Sequence, residues 1–264
     1  MPEVVLITGC SSGIGKTTAL FLANRGYTVY ATARKQEDLK RLVEDGKKIG
    51  KQIFGAQLDV NDANACRKIV AAVVKKEGKI DVLINNAGYS LSGPFEEFSS
   101  EDYLKILDTN AVGAFRLIKE IITHMRRSGG GRIINITSLS GLVTFPNFSI
   151  YSASKFAFQA FSESIRYELA KDRVCVTAIA PGAIYSEEKV KLPHKSARQK
   201  LWPLRLLLPF VRREEIAQKI YKIIKMDRPP VIMVVGRDAK IVWVLNRLLP
   251  RALWDKLQKF IWSK

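Results

Sequence analysis

Short apolar runs alternate with amphipathic stretches along most of the chain. The runs that begin at residues 4, 28, 53, 79, 132, 174 and 231 are rich in Val, Ile and Leu and predict seven strands. The segments between them predict six helices, among them residues 16–24, 103–124 and 151–170. Asn61 is predicted to cap a helix that begins at Ala63. Because several strands are apolar throughout, we expect a sheet that is covered on both faces.

This alternation predicts an α/β protein with a doubly wound Rossmann fold and a seven-stranded parallel sheet. No linker, repeat or low-complexity segment interrupts it, so residues 1–264 are predicted to form a single domain. In such sheets ligands bind at the carboxyl ends of the strands, where the strand order reverses. The motifs described next all follow predicted strands.

The first strand is followed by residues 8–15, which read T-G-C-S-S-G-I-G, and then by a helix. A glycine permits the tight turn, and two more let backbone approach a pyrophosphate and let the helix pack on the strand. The helix N-terminus offers free N–H groups to phosphates. A purely structural turn is the alternative, since glycine clusters are common in loops. The predicted cofactor contacts here are Gly9, Ser11, Ser12, Gly13, Ile14 and Gly15.

Cofactor choice is decided where the second strand ends. An Asp or Glu at that point would bind the ribose 2′-OH of NAD, but the sequence has Arg34 and no acid. A guanidinium is suited to a 2′-phosphate, which favours NADP(H) as the cofactor. If Arg34 is only a solvated loop charge, NAD(H) is the alternative.

Tyr151 and Lys155 are four residues apart and share one helix face. A nearby ammonium is expected to lower the pKa of the phenol, which can then exchange a proton with a carbonyl or alcohol oxygen. The Y-x-x-x-K spacing also occurs at Tyr167, Tyr185 and Tyr221. Only Tyr151 follows a strand that ends in a serine, Ser138, thirteen residues upstream.

Taken together, these motifs resemble those of the short-chain dehydrogenase/reductase superfamily, over about the first 185 residues and the last strand. The resemblance implies that Asn110, Ser138, Tyr151 and Lys155 are catalytic and that no metal is needed. It also implies that Tyr151 and Lys155 contact the cofactor. The further cofactor contacts that it implies are Asp59, Val60, Asn86, Ala87, Gly88, Pro181, Gly182 and Ile184. Asp59 has an alternative as a helix-capping residue.

The resemblance implies hydride transfer between the cofactor and a ketone, aldehyde or secondary alcohol. Residues 187–213 lie where the family has a variable substrate loop, and their apolar residues favour a hydrophobic substrate, with plain packing on the core as the alternative. The C-terminal segment, residues 241–264, loosely resembles that of family members acting on lipids, steroids or retinoids. NAD-dependent alcohol oxidation and a catalytically silent nucleotide-binding sensor or scaffold are the competing functions.

Positive charge is concentrated in the last third of the chain. The net charge is +18, and residues 189–264 hold 19 Lys and Arg against 5 Asp and Glu. Residues 241–264 are predicted to be a basic amphipathic extension with Leu253, Leu257, Phe260 and Ile261 on one face. Its tryptophans, Trp254 and Trp262, suit an interface between apolar and wet surroundings. Such a segment suits an anionic membrane surface, or else it docks on the domain or on a second subunit.

Several classes of partner and location are disfavoured. No nucleic-acid motif accompanies the basic charge, and no metal-ligand spacing surrounds His124 or His194. The three cysteines form no C-x-x-C pair, which indicates free thiols in a reducing compartment. With no signal-like start, these features predict a cytoplasmic protein, peripherally membrane-associated if the tail binds lipid. A homodimer through the helices that contain Tyr103 and Tyr151 is also implied by the resemblance.

Overall fold

The centre of the molecule is one sheet of seven strands, in a computed structural model that describes residues 3–184 and 210–262. The strands are β1 (Val4–Ile7), β2 (Thr28–Ala33), β3 (Ile53–Gln57), β4 (Val82–Asn85), β5 (Gly131–Ile136), β6 (Val174–Pro181) and β7 (Ile232–Val235). Their order is β3-β2-β1-β4-β5-β6-β7, and every neighbouring pair is parallel. The order reverses between β1 and β4, which confirms the predicted doubly wound fold and puts the ligand crevice at their carboxyl ends.

Helices cover both faces of this sheet. They are α1 (Gly13–Asn24), α2 (Gln36–Lys48), α3 (Ala63–Glu77), α4 (Ser100–Leu107), α5 (Gly113–Arg127), α6 (Ser149–Leu169), α7 (Arg213–Lys225), α8 (Arg237–Leu248) and α9 (Arg251–Trp262). Val5 and Ile7 of β1 pack with α1, α2 and α7, whereas Val4 and Leu6 pack with α3, α5 and α6. This alternation of side chains along β1 explains why the strand is apolar throughout.

The structure corrects three predictions about the helices: one start, one cap and one helix predicted to be continuous. Helix α1 begins at Gly13 instead of residue 16, because the glycines of the turn already form its first turn. The cap of α3 is Asp62 instead of Asn61, and its carboxylate accepts from the N–H groups of Asn64 and Ala65. The helix predicted over residues 103–124 is interrupted by a π-helical segment, Asp108–Val112, in which the Gly113 N–H donates to the Asp108 carbonyl.

The basic tail folds as two helices, α8 and α9, separated at Leu249 and Pro250. Trp254 is buried and Leu257 is half-buried, and both pack on a small cluster that includes Leu139. Leu253 is exposed. The apolar face predicted for the tail is therefore divided, because part of it packs on the domain. Within residues 3–184 and 210–262, no helix has both the length and the apolar composition that a bilayer span requires.

Candidate active site

A cleft of about 520 Å³ lies at the carboxyl ends of the strands, on both sides of the point where the strand order reverses. It extends from the end of β2 to the start of α6, so it joins the two groups of motifs that the sequence separates. The predicted site residues that line it are Gly9, Ser11, Ser12, Gly13, Ile14, Arg34, Asp59, Val60, Asn86, Ala87, Gly88, Ser138, Tyr151, Lys155, Pro181, Gly182 and Ile184. Two predicted site residues, Gly15 and Asn110, are absent from this lining and lie behind it.

The glycine-rich turn leaves backbone facing the cleft. Gly9 and Gly13 have φ of 70° and 60°, a region that favours glycine. A Cβ on Gly15 would lie 2.5 Å from Asn86 Nδ2 and closer still to the Gly9 carbonyl, so Gly15 permits the close packing of α1 on the turn. The side chain of the N-cap Ser12 makes no capping hydrogen bond, and no acidic residue occupies the first turn of α1. The positive end of this helix is therefore available to an anion.

The ends of β1 and β4 are tied together by side-chain hydrogen bonds. The Thr8 hydroxyl accepts from the N–H groups of Asn86 and Ala87, both at 3.0 Å. The Asn86 amide in turn donates to the carbonyls of Thr8 and Gly9, both at 2.9 Å. These bonds hold the glycine-rich turn and residues 85–88, which read N-N-A-G, at a fixed separation on the floor of the cleft.

One end of the cleft is bordered by positive charge. Arg34 is exposed there and also lines an adjoining recess of about 400 Å³ with Ser11, Lys35 and Arg41. Glu37 and Asp38 line the same recess. Asp59 does not cap α3, because its carboxylate accepts from the Asn61 N–H at 3.0 Å and its side chain stays in the cleft.

The opposite end of the cleft contains a phenol, a hydroxyl and an amine. Burial raises the pKa of the Tyr151 phenol, and its hydrogen bond with Ser138 opposes that shift. The Ser138 hydroxyl also accepts from the Ser140 N–H at 3.1 Å, so the serine side chain has a fixed direction. The phenol and hydroxyl thus lie close enough together to contact a single oxygen atom in the cleft.

Lys155 is buried, with 5% of its surface exposed. Its ammonium donates to the Ile136 carbonyl at 3.1 Å and lies 5.9 Å from the centre of the Tyr151 ring. Burial lowers the pKa of Lys155 to about 8. The expected lowering of the Tyr151 pKa by Lys155 is not found, because desolvation is the main influence on both groups.

We expect Lys155→Met to unfold at a higher temperature than the unmodified chain at pH 7. The unfolded lysine, with a pKa of 10.5, binds a proton more tightly than the folded one, with a pKa of about 8. Stability of the unmodified chain therefore rises with pH between these two values. At about 1.4 kcal/mol per pKa unit, the buried charge costs roughly 3 kcal/mol at pH 7. Thermal unfolding at pH 7 and pH 10 measures the difference.

The matched control for this variant is Lys171→Met, which changes an exposed lysine. We expect it to alter stability by less than about 0.5 kcal/mol at either pH. The advantage of Lys155→Met should shrink as the pH rises toward 10.5. An advantage that is the same at both pH values would show that the charge of Lys155 is not its cause.

Asn110 lies behind the cleft, in the π-helical segment, and is 1% exposed. Its amide oxygen accepts from the Tyr89 N–H at 2.9 Å, and its amide N–H groups donate to the Tyr89 carbonyl and the Ser154 hydroxyl. Ser154 donates to the Tyr151 carbonyl at 2.7 Å. Asn110 therefore reaches the Tyr151 backbone through one hydroxyl. Both of its amide N–H groups are used in these contacts.

The structure adds residues that sequence reasoning missed. The Asp238 carboxylate, at the start of α8, accepts from the Ala183 N–H at 3.1 Å, within the P-G-A-I segment of residues 181–184. A Cβ on Gly182 would lie 2.6 Å from this carboxylate, so the two are tightly packed. Arg213, at the start of α7, lines the cleft. No local motif marks either residue, because chain segments far apart in sequence bring them to the site.

Part of the predicted substrate loop, residues 187–209, lies outside the described residues, as does Tyr185. The described end of that loop includes Val211, which is buried and pairs with Ile184 in an isolated parallel bridge. This bridge joins the start of α7 to the cleft.

Sequence comparison places these motifs in a known family. Residues 3–197 match the family model described as short chain dehydrogenase. The chain is 33% identical to the 3-oxoacyl-[acyl-carrier-protein] reductase FabG of Thermotoga maritima, over 91% of this chain and 98% of that protein. It is 33% identical to human retinol dehydrogenase 8, over 87% of this chain and 80% of that protein. It is 36% identical to a 3-ketodihydrosphingosine reductase of Bacteroides thetaiotaomicron, over 69% of this chain and 64% of that protein's length.

Solved structures give the same result. A short-chain dehydrogenase from Streptomyces avermitilis superposes with a TM-score of 0.81 at 30% identity, covering 98% of both chains. An actinorhodin polyketide ketoreductase with NADPH superposes with a TM-score of 0.78 at 29% identity, over 89% of this chain and 95% of that one. An NAD⁺-bound xylitol dehydrogenase superposes with a TM-score of 0.80 at 28% identity, over 89% of this chain and 97% of that one. The chain therefore belongs to the short-chain dehydrogenase family and is an oxidoreductase that acts on CH–OH or ketone groups.

Proposed function

We propose that this protein is an NADP(H)-dependent reductase of a hydrophobic ketone or aldehyde. The observation that supports it most is the arrangement of the cleft. Ser138, Tyr151 and Lys155 meet at one end, and Arg34 lies at the other. A proton-exchanging group and a cationic nucleotide site are thereby joined by one continuous surface.

The residues present fit a nicotinamide nucleotide. Gly9 and Gly13 place no side chain in the cleft, and the uncapped N-terminus of α1 suits a pyrophosphate. Asp59 and Val60 would hold the adenine, while Asn86, Ala87 and Gly88 provide backbone beneath the ribose. Pro181, Gly182 and Ile184 would lie against the nicotinamide. When bound, this cofactor supplies the hydride.

The chain's own residues supply orientation and the proton. Ser138 and Tyr151 donate hydrogen bonds to the substrate oxygen, where negative charge develops as the carbonyl is reduced. Tyr151 then gives its phenolic proton to that oxygen. Lys155 would hold the ribose of the bound cofactor with its ammonium, and the hydrogen bond from Ser138 favours the phenolate that remains. Asn110 positions Tyr151 from behind, through Ser154 and the Tyr151 carbonyl.

The preference for NADP(H) is supported by the cations at the end of β2. A 2′-phosphate brings negative charge into a recess that Arg34, Lys35 and Arg41 line. Among the similar solved structures, one contains NADPH and another contains NAD⁺, so they do not distinguish between the two cofactors for this chain. Use of NAD(H) in alcohol oxidation is accordingly the second candidate.

We expect Arg34→Glu to weaken NADPH binding by about ten- to a hundredfold, because a carboxylate replaces a charge-assisted contact to the phosphate. NADH binding should be kept or become tighter, since NADH has no 2′-phosphate and a carboxylate at this point can accept from the ribose 2′-OH. Titration of both cofactors against tryptophan fluorescence measures the two effects. The control Lys51→Glu, a charge reversal on the loop before β3, should leave both affinities unchanged. Tighter binding of NADH by the unmodified chain would favour the second candidate.

The hydrophobic substrate is supported by similar proteins whose names denote acyl, sphingoid and retinoid compounds. A panel of ketones of increasing chain length, followed by NADPH consumption, tests it. We expect kcat/KM to rise with chain length, because each buried methylene contributes about 0.8 kcal/mol. Turnover limited to short polar ketones would contradict the proposal. Binding of NADPH without turnover of any carbonyl or alcohol would instead favour a silent sensor or scaffold.

A further inference from the structure

Helix α8 carries an apolar row on its outer side. Ile241, Val244, Leu245 and Leu248 are 44%, 44%, 37% and 76% exposed. Their spacing of three, one and three residues places them on one face of the helix, as a single stripe.

The packing of α8 on the domain does not account for this row. The opposite face of the helix already packs on the domain through Ala239, Val242 and Trp243. The helix therefore has two apolar faces, only one of which contacts the sheet. A surface helix that serves only to cover a sheet has one apolar face and a polar outer face.

Positive charge borders the outer row. Lys240 and Arg247 are exposed and lie on the same flank of α8, and Arg247 stacks on Trp243 at 5.1 Å. Arg237 begins the helix and is also exposed. The acid in the first turn, Asp238, points inward to the Ala183 N–H. The outer surface of α8 thus presents apolar and cationic groups together, without an exposed acid.

We propose that this surface, named here the α8 row (Ile241, Val244, Leu245 and Leu248 with Lys240 and Arg247), binds the surface of an anionic lipid bilayer. An interfacial helix buries its apolar face at the level of the headgroups while its cations contact anionic lipids. A second copy of the chain fits less well. In a two-fold interface the same patch meets itself, and this patch has cations but no exposed acid to pair with them.

The α8 row is close to the chemistry. Helix α8 begins two residues after β7, and Asp238 in its first turn contacts the P-G-A-I segment that lines the cleft. The inner face of α8 packs with Leu139, the residue after Ser138. Binding through the α8 row would thus place this side of the cleft near the bilayer. The inference holds for either direction of the reaction and does not depend on the proposed substrate.

The experiment is co-sedimentation of the full chain with vesicles of phosphatidylcholine, with and without phosphatidylserine. We expect binding to the phosphatidylserine vesicles that weakens as salt is added, because the cationic contribution is screened. Val244→Glu/Leu248→Glu should reduce the partition coefficient by at least about tenfold, since two apolar side chains become charged. Lys240→Gln/Arg247→Gln should remove the dependence on phosphatidylserine and leave weak binding.

The matched control is Ile49→Glu/Phe95→Glu, in which residues of 46% and 73% exposure lie away from α8. It should bind vesicles like the unmodified chain, and all variants should bind NADPH with unchanged affinity. Absence of vesicle binding by the unmodified chain, or equal loss in the control, would overturn the inference. Two further results would overturn it. One is a dimer of the unmodified chain that Val244→Glu/Leu248→Glu converts to monomer. The other is a lowered Tm in that variant when the unmodified chain binds no vesicles, and either result would mean that protein covers the α8 row.

Discussion

Tyr151→Phe should lower kcat by about 10²–10⁴-fold, the usual contribution of a positioned proton donor. The phenylalanine keeps the ring between its neighbours but has no proton to give and no hydrogen bond to Ser138. Cofactor affinity should change little, because most of the proposed nucleotide contacts lie toward the other end of the cleft. Steady-state turnover with any accepted ketone, together with NADPH titration, separates the two effects.

The same helix provides the control. Tyr167 also belongs to a Y-x-x-x-K sequence on α6, but it is 73% exposed and far from the cleft. Tyr167→Phe should therefore leave kcat and NADPH affinity unchanged. Full turnover by Tyr151→Phe would make the proposed proton transfer wrong, and a comparable loss in Tyr167→Phe would mean that the effect comes from helix α6 as a whole.

Asn110→Ala should lower the free energy of unfolding by about 3 kcal/mol, because it leaves several buried polar groups without partners at about 1–3 kcal/mol each. Those groups are the Tyr89 N–H and the Tyr89 carbonyl, and the Ser154 hydroxyl loses a donor while it keeps its own bond to the Tyr151 carbonyl. The substitution should also lower kcat more than it weakens NADPH binding, since Ser154 and the Tyr151 carbonyl lose their support. Urea unfolding and steady-state kinetics measure the two consequences.

Two comparisons test this role. Asn24→Ala changes an exposed asparagine at the end of α1 and should alter stability by less than about 0.5 kcal/mol. Ser154→Ala should be non-additive with Asn110→Ala, because the two side chains share one hydrogen bond. Additive effects on kcat would contradict the proposed path from Asn110 to Tyr151, and an Asn110→Ala protein of unchanged stability would contradict the hydrogen-bond network.

The sequence was sufficient for the features that depend on local patterns. Continuous apolar strands and intervening helical periodicity predict the parallel sheet, because burial on both faces requires that composition. The turn chemistry of Gly9 and Gly13 is equally local. Since every motif follows a strand, and parallel strands end at one edge, the meeting of Arg34 with Tyr151 in one cleft could be anticipated.

The tertiary structure decided what depends on distant segments. Asn110, in the π-helical segment, has its side-chain partners at Tyr89 and Ser154, and helical periodicity does not encode them. The contact of Asp238 with Ala183 joins residues 55 positions apart. The tail was predicted as a single amphipathic segment, but Trp254 packs on the domain and the exposed apolar row lies on α8. Periodicity identifies an apolar face, whereas only packing determines whether protein covers it.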